Sequence, residues 1–354
     1  MKKRYLSIVA MLALQAPILL VSKGALGQVP SRVRPLDLEG QLNIPLNNGT
    51  QGEDRNQADL LLRLGGQARR NGFLEKAIAN WLQAIDIYQQ IGDQQAVGLA
   101  YDYVGVTYAE LGSFQKAEDA LRRRVAIARS RQDFQGQIYG LNNLATILLQ
   151  ARNLTAARES LTEALTIARS VENRDGEGLT LSNFGLVAAT DGNYYEAIKR
   201  YEAAILLRSL SGDPLGEANT RNNLGDANRA VKRYREALIS YQGALGLAQK
   251  SRDTLNQFRA FRGLVQSYSG IGEYFAALKL LDQHLALAYQ EKNRSEELLS
   301  LGLFAQLYQI TGNSVSAKSF YERAIELAGT LGDSQQEALL RNDLAQIIYG
   351  RKYQ

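Results

Sequence analysis

A step of 40 residues governs this chain. Gly72, Gly112, Arg152, Gly192, Lys232, Gly272 and Gly312 fall at that interval, and five residues after each stands Ala77, Ala117, Ala157, Ala197, Ala237, Ala277 or Ala317. Equal intervals of this size mark a repeat architecture, in which no unit can bury its apolar face alone and each must stack on its neighbours. A small side chain kept at one register is what two helices need where they cross closely.

Ahead of each turn a helical pattern places Leu64, Val104, Leu144, Phe184, Leu224, Leu264 and Phe304 at its buried position, usually followed by Gly or Ala. Behind each turn come Trp81, Leu121, Leu161, Tyr201, Tyr241, Leu281 and Tyr321, and four residues later Ile85, Val125, Leu165, Ile205, Leu245, Leu285 and Ile325. A spacing of four puts these two sets on one helix face. Each repeat therefore reads as a hairpin of two amphipathic helices. Gly92-Asp93, Gly212-Asp213 and Gly332-Asp333 pair a helix-closing glycine with an N-cap, Pro214 fits a first helical position, and Asn293 with Glu296 has the form of a capping box. Residues 334–349 repeat only the first-helix pattern, with Leu344-Ala345 in place of Leu-Gly, as expected of a helix that covers the last repeat. The expectation is an all-α solenoid of seven helix-turn-helix hairpins and a C-terminal capping helix, fifteen helices over residues 56–349, with a short tail at 350–354.

The Leu-Gly of the first helix, the G-x-Y-x-x-A at the turn and the Ala-[Ile/Leu] pair of the second resemble the tetratricopeptide repeat, and the 40-residue period resembles the long-helix variety of kinesin light chains, Pins-type modulators and many bacterial repeat proteins. Arg152 and Lys232 in place of the turn glycine, and Ser314 in place of the turn aromatic, depart from that pattern. The resemblance implies a right-handed superhelix whose first helices line a concave groove, with a protein or peptide as partner and no cofactor.

Composition narrows the rest. With no Cys and one His, at 284, the chain offers no thiolate or multi-histidine metal site and no disulfide. Residues 2–4 (KKR), an apolar run to Val21 and the small residues Ala25 and Gly27 read as a signal peptide over 1–27, hence an exported protein with no membrane span after cleavage. Removing Lys2, Lys3, Arg4 and Lys23 takes 41 basic residues to 37 against 36 acidic, and the net charge from +5 to +1. That near-neutral balance speaks against nucleic acid as a partner. Pro30, Pro35 and Pro45, with Asn and Gly around them, mark residues 28–55 as a flexible linker.

On the inward face of the first helices the candidates are Asn143, Asn183 and Asn223 at one register, with Asn142, Ser182 and Asn222 beside them. Each amide carries both donor and acceptor, so the ladder can hold the backbone of an extended peptide, or it can bond neighbouring repeats to one another. Arg259 and Arg262, near Asp226 and Arg229, can clasp an acidic group, unless Asp226 and Arg229 pair at i,i+3. Tyr103 and Tyr139 offer an apolar shelf. The run Arg122-Arg123-Arg124 is preceded by Glu118 and Asp119 and reads as a solvated second-helix face, with the Arg124 stem along the helix pair and its charge in water. His284 replaces a helix-crossing Ala and reads as packing, because no G-x-S-x-G, phosphate loop or paired-carboxylate motif accompanies it. Two functions fit: a scaffold that holds a peptide or partner segment in its groove, or a structural or regulatory component of a cell-envelope complex that acts through its convex face.

Overall fold

The computed structural model describes residues 52–349; the expected signal peptide, most of the expected linker and the C-terminal tail lie outside the described residues. The described chain is all helix and turn: α1 Glu53–Arg70, α2 Leu74–Gln90, α3 Gln94–Glu110, α4 Phe114–Ser130, α5 Phe134–Gln150, α6 Leu154–Ser170, α7 Arg174–Thr190, α8 Tyr194–Leu210, α9 Pro214–Ala230, α10 Tyr234–Lys250, α11 Thr254–Gly270, α12 Tyr274–Gln290, α13 Arg294–Ile310, α14 Ser314–Leu331 and α15 Ser334–Tyr349. Odd-numbered helices are the first of each pair, and α15 is the unpaired last one. Two compact units divide at Thr220/Arg221, inside α9. One correction concerns the start of the repeats: α1 begins at Glu53, so residues 53–55 belong to it and not to the linker. Buried Arg55 pairs with the N-cap carboxylate of Asp93.

Every turn uses one device, repeated each 20 residues. The residue at 72, 92, 112 and onward to 332 takes a left-handed backbone, and the next N–H closes on the carbonyl five residues back, as in Asp93 to Tyr88 (2.8 Å) and Ser113 to Tyr108 (2.8 Å). This geometry satisfies the carbonyls left open at a helix C-terminus. Arg152 and Lys232 keep it without glycine, at φ 63° and 62°. The incoming helix is then capped by the side chain at the following position: Asp93, Asp213, Asn293 and Asp333 as expected, and also Asp133, Asn153, Asn173, Asn193, Asp253 and Asn313.

The register alanines from Ala77 to Ala317 are all fully buried. The glycine after the first-helix apolar position has a packing reason. A Cβ on Gly185 would lie 2.4 Å from the Tyr201 ring, and one on Gly225 2.6 Å from the Tyr241 ring, so the second-helix aromatic seats directly on first-helix backbone. Leu64 differs from its six counterparts: it is 40% exposed, because no described element precedes α1 to cover it.

Candidate functional site

In the unit that ends at Thr220, the asparagine row ties successive first helices together. Asn142 Nδ2 on α5 donates to Thr180 Oγ1 on α7 at 2.9 Å and to Ile138 O at 2.8 Å, while its Oδ1 accepts from Asn183 Nδ2 at 2.9 Å. Asn143 Nδ2 donates to Asp102 on α3 at 3.2 Å, and Ser182 meets Thr220 Oγ1 at 3.1 Å. Thr220 spends its own proton on Gly216 O, so Ser182 is the donor. Asn142 is 1% exposed and Ser182 2%. The readings of Asn142 and Ser182 as ligand contacts are therefore corrected: burial forces these groups to bond each other, since an unpaired buried amide is costly. Asn143 and Asn183 are nearly as buried and spend their donors in the same way.

In the unit that starts at Arg221 the same register behaves differently. Asn222 is fully buried and donates to Asn256 on α11 (3.0 Å to Oδ1), which corrects its assignment as a contact residue. Asn223 Oδ1 accepts from Arg259 Nη2 at 2.7 Å, but its Nδ2 finds no acceptor among the described residues. Arg259 Nη2 also reaches Asp226 Oδ2 at 3.2 Å, Tyr241 Oη donates to Asp226 Oδ1 at 2.6 Å, and Arg229 stands 3.9 Å from the same carboxylate. The Asp226 side chain is 49% exposed. Burial pushes the Tyr241 hydroxyl well above its ordinary pKa, and the adjacent Asp226 charge adds to this against the opposing Arg229, so Tyr241 stays a neutral donor. Asn223, Asp226, Arg229 and Arg259 are thus brought together as expected. Arg262 is not part of that group; it turns to Glu296 on α13, with Nη1–Oε1 3.2 Å.

The Tyr103–Tyr139 shelf does not form. Tyr103 is 2% exposed and stacks on Trp81, centroids 5.2 Å apart at 26°. Tyr139 donates its hydroxyl to Asp175. The basic run is partly as expected, with Arg122 bonded to Glu118 at 2.9 Å and Arg123 over the Tyr101 ring at 5.9 Å. Arg124 is a correction. Its charge does not reach water: Nε bonds Asp102 Oδ2 at 2.8 Å with both side chains largely buried, and Nη2 lies 3.7 Å from Asp133. Gly136 clears the space, for a Cβ there would sit 2.5 Å from Arg124 Nη2. Arg208, at a register that is Ala in most repeats, makes a second buried pair with Asp213, with Gly216 clearing its space. An Arg at an Ala register matched by a Gly in the first turn of the following helix is the sequence signal for both pairs.

His284, expected to be packing, is fully buried, yet it has partners that no motif announced. Nδ1 lies 2.7 Å from Ser300 Oγ and Nε2 3.3 Å from Glu296 Oε2. Ser300 is itself fully buried and back-bonded to Glu296 O at 2.8 Å, so the cluster presents no nucleophile to solvent. No group of three or more His, Cys, Asp or Glu able to hold a metal ion occurs among the described residues, and none of the described helices is long and apolar enough to cross a membrane.

Residues 56–130, 137–208 and 176–250 match one tetratricopeptide repeat family profile, and 299–330 match a second. The chain is a tetratricopeptide repeat protein. Among solved structures this repeat protein is similar to a signal transduction ATPase with numerous domains carrying a tetratricopeptide repeat sensor, from Pyrococcus horikoshii (TM-score 0.61, 17% identity, 80% of this chain and 44% of that one). It spans less than half the length of that ATPase. It is also similar to the apo form of RapI (TM-score 0.55, 15% identity, 78% and 99%) and to a Rap protein complexed with competence and sporulation factor (TM-score 0.56, 15% identity, 80% and 78%). At these identities the likeness shows a shared tetratricopeptide solenoid. No curated protein matches the chain.

Proposed function

We propose that this tetratricopeptide repeat protein is an exported, non-enzymatic interaction scaffold that holds a peptide or an extended partner segment against the wall of its first helices. The observation that carries the reading is the cluster on α9 and α11. Asp226 is half exposed, Arg259 and Arg229 converge on it, and the amide nitrogen of Asn223 beside them has no acceptor among the described residues. The exposed Asp226 carboxylate, flanked by the part-buried Arg259 and Arg229, offers an acceptor with donors beside it to an extended backbone carrying a polar side chain, while the Asn223 nitrogen lies buried behind them. Along the rest of the wall the asparagines serve stacking, so specificity concentrates in this cluster. A Rap protein of similar fold is known in complex with competence and sporulation factor, a relation that agrees with the reading. The basic, apolar and small-residue succession of residues 2–27 supports export, which N-terminal sequencing of the mature protein tests: Met1 retained would end that part of the proposal. For binding, Asp226→Ala with Arg259→Ala is expected to weaken capture of a partner at least tenfold at a temperature where the variant is still fully folded by circular dichroism, with some lowering of the thermal midpoint because the Tyr241 hydroxyl and Asn223 lose their partners; unaltered capture would refute the site.

A second reading rests on a separate observation. Phe275 and Val315, each 84% exposed at the start of α12 and α14, form an apolar pair one repeat apart on the second helices. A self-assembling or envelope-bound component would use such a surface. Light scattering across concentrations, with and without Phe275→Ser and Val315→Ser, separates the readings, since only assembly through that surface predicts a mass that falls on substitution.

A further inference from the structure

The first helices of the unit that starts at Arg221 carry one register that stacking does not use. Gln266 on α11, Gln306 on α13 and Gln346 on α15 follow Asp226 at 40-residue steps. The first two are half-buried and the third is exposed, and none of the three amides makes a hydrogen bond among the described residues. The same register in the other unit reads Gly66, Val106, Thr146 and Leu186, so the fold does not demand an amide there. Two turns earlier, on the same face of each helix, stand Arg259, Leu299 and Leu339, and Leu339 is 52% exposed. One row is therefore constant and the other varies. Between the rows on α11, Arg262 bonds Glu296 through Nη1 and leaves Nε and Nη2 unspent among the described residues, its side chain 31% exposed.

A constant amide row suits what is constant in a bound chain, its backbone, because each amide offers both a donor and an acceptor. A varying row suits its side chains: Arg259 and Arg262 take an acidic group, Leu299 and Leu339 apolar ones. The spacing selects the backbone conformation. Successive first helices touch through their side chains, Asn222 to Asn256 at 3.0 Å and Arg262 to Glu296 at 3.2 Å, and a Cβ on Gly302 would lie 3.7 Å from Leu340 of α15. Helices packed this closely have axes about 8 to 10 Å apart. In a β-strand the residues that face one way are about 6.6 Å apart and drift out of step with the helices. A polyproline II helix advances about 9.3 Å per three-residue turn, keeps every third side chain on one face, and leaves its carbonyls unbonded. We propose that the wall of α11, α13 and α15 binds a polyproline II segment of period three. Its acidic residue meets Arg259 and Arg262, in the cluster already described; apolar residues one and two turns away meet Leu299 and Leu339; and each turn places a backbone group on Gln266, Gln306 or Gln346. The inference rests on the first-helix wall being the binding surface and names the kind of segment that the wall holds.

Fluorescence anisotropy with three synthetic peptides tests this: Glu-Pro-Pro-Leu-Pro-Pro-Leu, its reverse order, and Glu-Pro-Leu-Pro-Leu-Pro-Pro, which has the same composition at period two. One of the first two orders is expected to bind about tenfold or more tightly than the period-two peptide. Gln266→Ala combined with Gln306→Ala and Gln346→Ala should lose about tenfold or more of that binding with an unchanged thermal midpoint, since these amides bond nothing within the described chain. Arg262→Met should reduce the preference for Glu over Gln at the acidic position of the peptide. Binding of both period-three orders no tighter than the period-two peptide, or a triple variant that binds as the parent does, would overturn the proposal. Capture from native extract by Asp226→Ala with Arg259→Ala tests the scaffold reading separately, so peptides that fail while that capture is weakened would sink this inference and leave the scaffold standing.

Discussion

Replacing Arg124 by Ala tests whether the buried charge pair is an obligatory unit or a tolerated ornament. The register accepts Ala at 84, 164, 204, 244 and 324, so the substitution introduces no misfitting side chain. What it leaves is the buried Asp102 carboxylate, with Asn143 Nδ2 still donating to it at 3.2 Å. Stranding one partner of a buried pair costs about 3 to 5 kcal/mol, whereas replacing both by well-packed apolar residues of similar volume is often near neutral. We expect Arg124→Ala to lose about that much and Arg124→Met with Asp102→Leu to recover a clear part of it, the remainder being the Asn143 amide left without its acceptor. The pH dependence has a defined sign. Burial pushes the Asp102 carboxyl upward against the lowering by Arg124, so the native state disfavours the charge and its stability falls as pH rises from the unfolded carboxyl's range, about 4, toward the folded value. Without Arg124 that window widens, and the loss must be larger at pH 7 than at pH 4.5. Urea unfolding followed by far-UV circular dichroism reads this, with fluorescence of the one tryptophan as a local probe, since Trp81 stacks on Tyr103 beside Asp102. Coincident transitions license the free-energy comparison. A loss under 1 kcal/mol at pH 7, or an equal loss at both pH values, would refute the reasoning.

Lys232→Gly should raise stability by up to about 1 kcal/mol, because an L-residue at φ 62° is strained beyond the entropy that glycine costs; a lower urea midpoint would contradict this. Gly225→Ala should lose about 1 to 3 kcal/mol by driving a Cβ to 2.6 Å from the Tyr241 ring, read by thermal melting. Asn142→Ala should cost about 1 to 3 kcal/mol by leaving the buried Asn183 Nδ2 without its acceptor, and a variant with all three of Asn143, Asn183 and Asn223 changed to Ala should likewise lose stability as well as binding. Glu296, displaced downward against its burial by its His284 bond and the Arg262 and His284 charges, contributes stability that is present above the unfolded carboxyl's range and lost as pH falls through its own. Acid titration by circular dichroism should show that step weakened in Glu296→Gln.

The repeat, the hairpins and the last unpaired helix were legible because stacking imposes one register: the Ala237 position is Ala in every copy, and the Tyr241 and Leu245 positions are large and apolar or aromatic in every copy, for the same packing reason. Side-chain partners were less legible, since a donor's use depends on how far neighbouring first helices are offset. The interval alone did not tell that Asn142 would reach Thr180 and not a ligand. Arg124 and His284 broke the Ala register visibly, but their partners Asp102 and Glu296 lie on other helices and carry no motif. Tyr103 was misread because an inward position in the helix pattern was equated with an exposed one, although Trp81 covers it.

The central claim is that partners dock on the first-helix wall. It is tested most directly by a photo-crosslinking residue placed singly at Ala230, exposed one turn beyond Asp226 on α9, or at Ile239 on the exposed second-helix surface of α10, in native extract. A discrete crosslinked product is expected from position 230 and none from 239. A product from 239 alone would contradict it.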